Sequence, residues 1–118
     1  MEFNIRKGAT LPTIEVGLGN NNFNNLNINL SGNTIYFYMK NVDTNVYKIA
    51  KSVATYDSIN KKIYYQFTKK NTSEIGRFEG EFKIINDQGV IELPISDRIF
   101  INILPSISNS DFCCKQIN

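Results

Sequence analysis

Histidine is absent from this chain of 118 residues. With it go the commonest general base and metal ligand at neutral pH and every Ser-His or Cys-His arrangement. Cysteine is confined to the neighbours Cys113 and Cys114, and adjacent cysteines cannot staple distant parts of a fold. No run approaches the roughly 20 apolar residues of a membrane-spanning helix. Residues 1–8 lack the basic start and apolar stretch of a signal peptide, so a soluble protein made in a cytoplasm is expected. An excess of one charge is lacking too: 13 Lys and Arg stand against 11 Asp and Glu, a formal net charge of +2. The positive charges are scattered singly or in pairs such as Lys61-Lys62 and Lys69-Lys70, whereas nucleic-acid binding needs a dense basic stripe. Phosphate loops, zinc spacings and calcium loops are missing, and the pair of glycines in Gly17-Leu18-Gly19 has no helix after it. No catalytic, cofactor-binding or metal-binding residue is therefore assigned, and neither a nucleic acid nor a membrane is an expected partner.

What is present is a succession of short stretches rich in Ile, Tyr, Phe, Val and Thr, bounded by Asn, Gly, Asp and Ser. That is the pattern of strands separated by tight turns. Residues 34–40 alternate cleanly, Ile35, Phe37 and Met39 against Tyr36, Tyr38 and Lys40, and a period of two puts the first set in the core. Residues 62–68 repeat this with Ile63, Tyr65 and Phe67 inward. Residues 76–85 set Phe78, Gly80, Phe82 and Ile84 against Arg77, Glu79, Glu81 and Lys83, as in a sheet packed on one side and wet on the other. The turn 86–89, with Gly89 in a left-handed conformation, leads into 90–93, which Pro94 ends by withholding a donor. A last strand is predicted over 98–104.

Weaker strands are predicted over 3–7, 14–18, 26–30 and 48–55, the last because Ile49, Lys51, Val53 and Thr55 alternate less cleanly. A flexible Gly- and Asn-rich loop is expected over 19–25. About eight or nine strands in one core, with no βαβ alternation, give an all-β sandwich or barrel. The predicted organisation is one domain over 1–107 and a polar tail over 108–118 holding Cys113 and Cys114.

The order of these features resembles a known family. Phe3-Asn4-Ile5-Arg6-Lys7-Gly8 precedes Leu11-Pro12, and Ile28-Asn29-Leu30-Ser31-Gly32 runs into residues 34–40. Later come Ile63-Tyr64-Tyr65-Gln66-Phe67, Gly76-Arg77-Phe78-Glu79-Gly80-Glu81-Phe82, and Ile91-Glu92-Leu93-Pro94 ahead of Ile99-Phe100-Ile101-Asn102-Ile103. Together they resemble the N-terminal immunoglobulin-like domain of the upper baseplate (BppU-type) proteins of tailed bacteriophages and related virion structural proteins. The resemblance implies an immunoglobulin-like antiparallel β-sandwich of about eight strands and a place in a virion, reached by way of the host cytoplasm during assembly. It also implies other virion proteins as partners. It carries no catalytic residue. Upper baseplate proteins continue into stalk-like regions, whereas this sequence stops after the domain. A free-standing copy is expected to serve as a head-decorating or head-fibre attachment protein, or as a neck or tail adaptor, present in several copies and possibly as a homo-oligomer.

Two groups of side chains merit attention as sites. Glu79 and Glu81, at i and i+2 on one strand, fall on one face about 7 Å apart; a solvated stripe flanked by Arg77 and Lys83 is expected rather than a catalytic pair. Tyr36, Tyr38 and Tyr64 all point away from the core-facing phenylalanines. They either pack on cross-strand neighbours or form an interface, since tyrosine offers a large apolar body with a hydroxyl that stays hydrogen-bonded. The alternative to a protein interface is a carbohydrate-binding surface that uses the same tyrosines.

Overall fold

The computed structural model describes residues 1–17, 33–87, 89–95 and 97–107. Eight strands run through them: β1 (Glu2–Arg6), β2 (Ile14–Gly17), β3 (Thr34–Asn41), β4 (Tyr47–Asp57), β5 (Lys62–Tyr65), β6 (Gly76–Asn86), β7 (Gly89–Leu93) and β8 (Ile99–Leu104). There is no helix among the described residues. The strand predicted over 26–30, the loop over 19–25, the turn at Ser31-Gly32, the tail over 108–118 and the cysteines in it lie outside them.

Hydrogen bonding follows the order β1-β8-β6-β3-β4-β5-β2, with β7 also paired to β6. The pairings are antiparallel except that of β1 with β8, which is parallel from Glu2 opposite Phe100 to Arg6 opposite Leu104. The expected all-β architecture of eight largely antiparallel strands is present, with β1 added in parallel at the edge beside β8.

The path folds over on itself because its apolar residues share one side. Phe37 on β3 stacks on Tyr65 of β5 with ring centroids 4.7 Å apart, and it meets Phe82 of β6 at 4.9 Å. The two ends of the path also approach each other. Phe3 of β1 lies 5.9 Å from Phe67, just beyond β5, and Gly8 N donates to Thr72 O (3.0 Å) while Thr72 Oγ1 donates to Ala9 O (2.9 Å). The result is an all-β, sandwich-like and nearly closed unit around Phe37, Phe67, Phe78, Phe82 and the isoleucines of β2, β3, β5, β6 and β8. Burying aromatic side chains that size supplies most of the drive to fold.

The inward and outward sets predicted for β3, β5 and β6 hold residue by residue. Three local departures have causes. The strand predicted over 62–68 stops at Tyr65, because Asn71 Oδ1 accepts from both Tyr65 Oη (3.0 Å) and Thr68 N (2.8 Å) and bends the chain. Phe67 nevertheless stays buried. In β4, Phe37 faces Ser52 whereas Met39 faces Ile49, a bulge that contains Lys51 at φ 58°. The extra residue switches the phase of the strand, so that Ile49 and Ala54 are both buried while Val53 turns outward. Gly89 has the positive φ expected of the hairpin, but at 148° it is an extended mirror conformation rather than left-handed helical.

β7 and β8 lie on the same edge of β6 and act as one interrupted strand. Leu93 faces Phe82 and Ile99 faces Gly80, so the chain between them, opened by Pro94, has only Glu81 to oppose it. This interruption opens the sheet surface described next.

Candidate functional site

The candidate site is the outer face of the large sheet, where the outward side chains of β8, β6, β3 and β4 stand in rows. One row runs from Glu2 through Phe100, Glu79 and Lys40 to Tyr47; another runs from Glu92 through Lys83 and Tyr36 to Val53. Period two along each strand and register across strands fix this lattice.

The end of the face near β1 is closed by its own polar network. Arg77 Nη1 and Nη2 donate to the two carboxylate oxygens of Glu2 at 2.9 Å each, Arg77 Nη1 also donates to Asn102 Oδ1, and Asn102 Nδ2 donates to Glu2 and to Asn4. The hydrogen bonds from Arg77 and then Asn102 pull the Glu2 carboxyl down to about 2. Phe100 lies under two guanidinium groups, 4.1 Å from Arg77 and 5.0 Å from Arg98.

Glu79 and Glu81 follow the expected stripe on the outward side of β6. Arg98 grips both oxygens of Glu79, at 2.9 and 2.7 Å, and these hydrogen bonds hold the Glu79 carboxyl below the usual carboxylate range. A general acid needs the opposite displacement. Glu81 lies 3.4 Å from Lys83 Nζ, which also reaches Glu92 at 3.4 Å. Burial lowers the Lys83 ammonium, but its two carboxylate neighbours outweigh that and leave it raised.

The three tyrosines are half-buried and fall into two places. Tyr36 and Tyr38 are adjacent on the outer side of β3, whereas Tyr64 lies on β5, beyond β4, opposite Thr55 and Glu15. Lys51 Nζ sits 5.3 Å from the Tyr36 ring and Lys83 Nζ 4.7 Å from the Tyr38 ring. A lysine ammonium thus stands over the rings of Tyr36 and Tyr38, as the packing alternative anticipates, and both rings stay partly exposed.

Two features of the face were not found by sequence reasoning. Val53 is exposed opposite Tyr36, at 67%, and the cross-strand pair Ile85 and Val90, the latter at 56%, is exposed further along β6 on the same face. Ile85 continues the outward series Arg77, Glu79, Glu81 and Lys83 and was legible from it, whereas Val53 depends on the bulge at Lys51. The other is a hollow of about 100 Å³ lined by Tyr38, Lys40, Tyr47, Glu79, Gly80 and Glu81, where the rings of Tyr38 and Tyr47 meet edge to face at 6.1 Å. Across β6 a second hollow of about 190 Å³ lies where β7 gives way to β8, lined among others by Glu81, Glu92, Pro94, Ile95 and Arg98. No group of acidic or cysteine side chains that could hold a metal occurs among the described residues, and no helix there is long and apolar enough to cross a membrane. In comparison with known proteins, the chain matches no family model and no curated protein.

Proposed function

We propose that this chain is an immunoglobulin-like virion structural protein of a bacteriophage, an adaptor or decoration module that binds a neighbouring capsid, neck or tail protein. The observation that carries the reading is the ordered set of sequence pieces resembling the baseplate domain. The pieces that fall on described residues lie on or beside successive strands of one all-β unit. The contact is assigned to the outer sheet face around Tyr36 and Tyr38, with Tyr64 at its far side. Exposed apolar side chains on a face that also carries aromatic ones are the usual composition of a protein contact, and Val53, Ile85 and Val90 supply them here. Repetition around a symmetric particle multiplies such a modest contact into stable attachment.

The test is incorporation. The chain is expected in several copies in purified particles by mass spectrometry, and replacing Tyr36, Tyr38 and Tyr64 together by Ser is expected to prevent this while the circular dichroism of a β protein is kept. Because these rings are half-buried, a second variant, Val90→Lys, probes the same face at an exposed position. Normal incorporation of both folded variants rejects the contact, and absence of the wild-type chain from particles rejects the function.

A further inference from the structure

The hollow between Tyr38 and Tyr47 has the makings of a ligand site that shares only Tyr38 with the adaptor contact. Its walls come from three neighbouring strands: Tyr38 and Lys40 from β3, Tyr47 from β4, and Glu79 to Glu81 from β6. Register fixes them, since Lys40 faces Glu79 on one side and Tyr47 on the other, and Tyr38 faces Glu81. Side chains carried on paired strands are held in place better than any on loops.

The polar groups around the hollow are of both kinds and are incompletely used. Glu79 is spent on Arg98, whereas Glu81 is engaged, among the described residues, through Oε2 alone, by Lys83. The Lys40 ammonium adds to the field that keeps Glu79 ionised, yet it donates no hydrogen bond to a described residue, and neither do the hydroxyls of Tyr38 and Tyr47. The Tyr47 ring, 51% exposed, forms the apolar wall. A purely apolar ligand would strand the ammonium and the carboxylate, and an anion would meet Glu81. A charged amine would meet Lys40. A neutral polyhydroxylated ring fits every wall: its C–H face rests on Tyr47, its hydroxyls donate to Glu81 and accept from Lys40 and the phenols. Adjacent strands are about 4.8 Å apart, a spacing that one ring can bridge.

We infer that Tyr38, Lys40, Tyr47 and Glu81 form a saccharide-binding site for a neutral pyranose, on the sheet face but apart from Tyr36, Val53 and Val90. It centres on Tyr47 rather than on Tyr36 and Tyr64. The experiment is a titration of the folded chain, followed by amide chemical shifts, with glucose, galactose, mannose, rhamnose and N-acetylglucosamine, and a screen on an array of neutral glycans. At least one of these sugars is expected to shift amides of residues 38–40, 47 and 79–81. Tyr47→Ala is expected to weaken that binding by about tenfold or more, with Tyr47→Phe intermediate. Since Tyr47 is half exposed, its truncation leaves the core intact, and an unchanged melting temperature verifies this. The inference is overturned if no sugar on the array or in the titration binds. It is equally overturned if a sugar binds with its shifts elsewhere, or if Tyr47→Ala binds as well as wild type.

Discussion

Gly80 is the position at which the core has no spare room, and a single methyl group tests this. It sits in the middle of β6 with its α-carbon opposite Met39 and Ile99, facing inward. A Cβ built there would lie 2.7 Å from Ile101 Cδ1, 2.9 Å from Phe37 Cζ and 3.1 Å from Phe37 Cε1. Neither neighbour can retreat freely. Ile101 and Phe37 are both fully buried, and the Phe37 ring is already packed against Phe82, Tyr65 and Phe67. Overpacking a tight core costs about 1–3 kcal/mol, against which the reduced freedom of the unfolded chain returns about 0.5 kcal/mol. Gly80→Ala is thus expected to destabilise by about 1–2 kcal/mol, or roughly 4–8 °C in melting temperature for a chain of this length. Gly17→Ala is the control, because a Cβ there meets nothing within 4 Å and is expected to be neutral or slightly stabilising. Urea titration gives the values. A double-mutant cycle with Ile101→Val, which removes the atom at 2.7 Å, isolates the clash. Alone, that change is expected to cost about 1 kcal/mol; in the Gly80→Ala background the cost shrinks by at least about 0.5 kcal/mol. A Gly80→Ala variant as stable as wild type, or equal costs of Ile101→Val in both backgrounds, refutes the packing described.

Two further outcomes are expected. Thr72 is fully buried and donates to Ala9 O at 2.9 Å, so Thr72→Val leaves that carbonyl without its donor and costs about 1–3 kcal/mol, measured by urea unfolding; no change would mean that the seam between the two ends of the sheet path contributes nothing. The second concerns acid. Glu2 has a folded value of about 2, below its ordinary 4.5, and Glu79 is lowered too. A carboxylate so depressed contributes stability that is full above the unfolded value and lost as the pH falls through the folded one. Stability is expected to decline from about pH 5 towards pH 2, and Arg77→Gln is expected to make that decline shallower by returning Glu2 towards its ordinary value. Melting temperatures across that range check it, and an unaltered slope in the variant contradicts the Arg77 to Glu2 pairing.

The sequence was most legible where polar and apolar residues alternate without interruption. In β3 and β6 each side chain lies on the side that period two assigns, because a strand in an unbroken ladder has no other freedom. Tyr36, Tyr38, Glu79 and Glu81 were placed outward for the same reason. The parallel pairing of β1 was not legible, since Phe3 and Ile5 would face the core in either direction. Nor was the bulge at Lys51, which rests on a positive φ that no local motif announces. That Glu79 is gripped by Arg98 of the neighbouring segment is a matter of register between β6 and β8. Arg77 is next but one along its own strand, but it is drawn to Glu2, which the parallel strand β1 brings alongside. The hollow at Tyr47 was missed because its ring enters the site from β4 across the break in alternation.

These misses have a common physical origin that bears on function. A sheet face on which every charge found its complement would offer a partner little, because any contact would first have to break an existing ion pair. Near β1 this is the case: Glu2, Arg77, Asn102 and Asn4 satisfy one another, and displacing them brings no net gain. The two devices that interrupt the ladders, the bulge in β4 and the break between β7 and β8, spoil this pairing elsewhere. The bulge turns Val53 out beside Tyr36, and the break leaves Glu81 with no described residue opposite it on that edge of β6. The surface available for binding therefore lies at the irregularities of the sheet. A variant lacking Lys51 would be expected to pair regularly, with Ala50 opposite Tyr38, and to keep Ile49 opposite Met39 and Val53 outward opposite Tyr36, so that the apolar contact survives the loss of the bulge and incorporation into particles is unchanged.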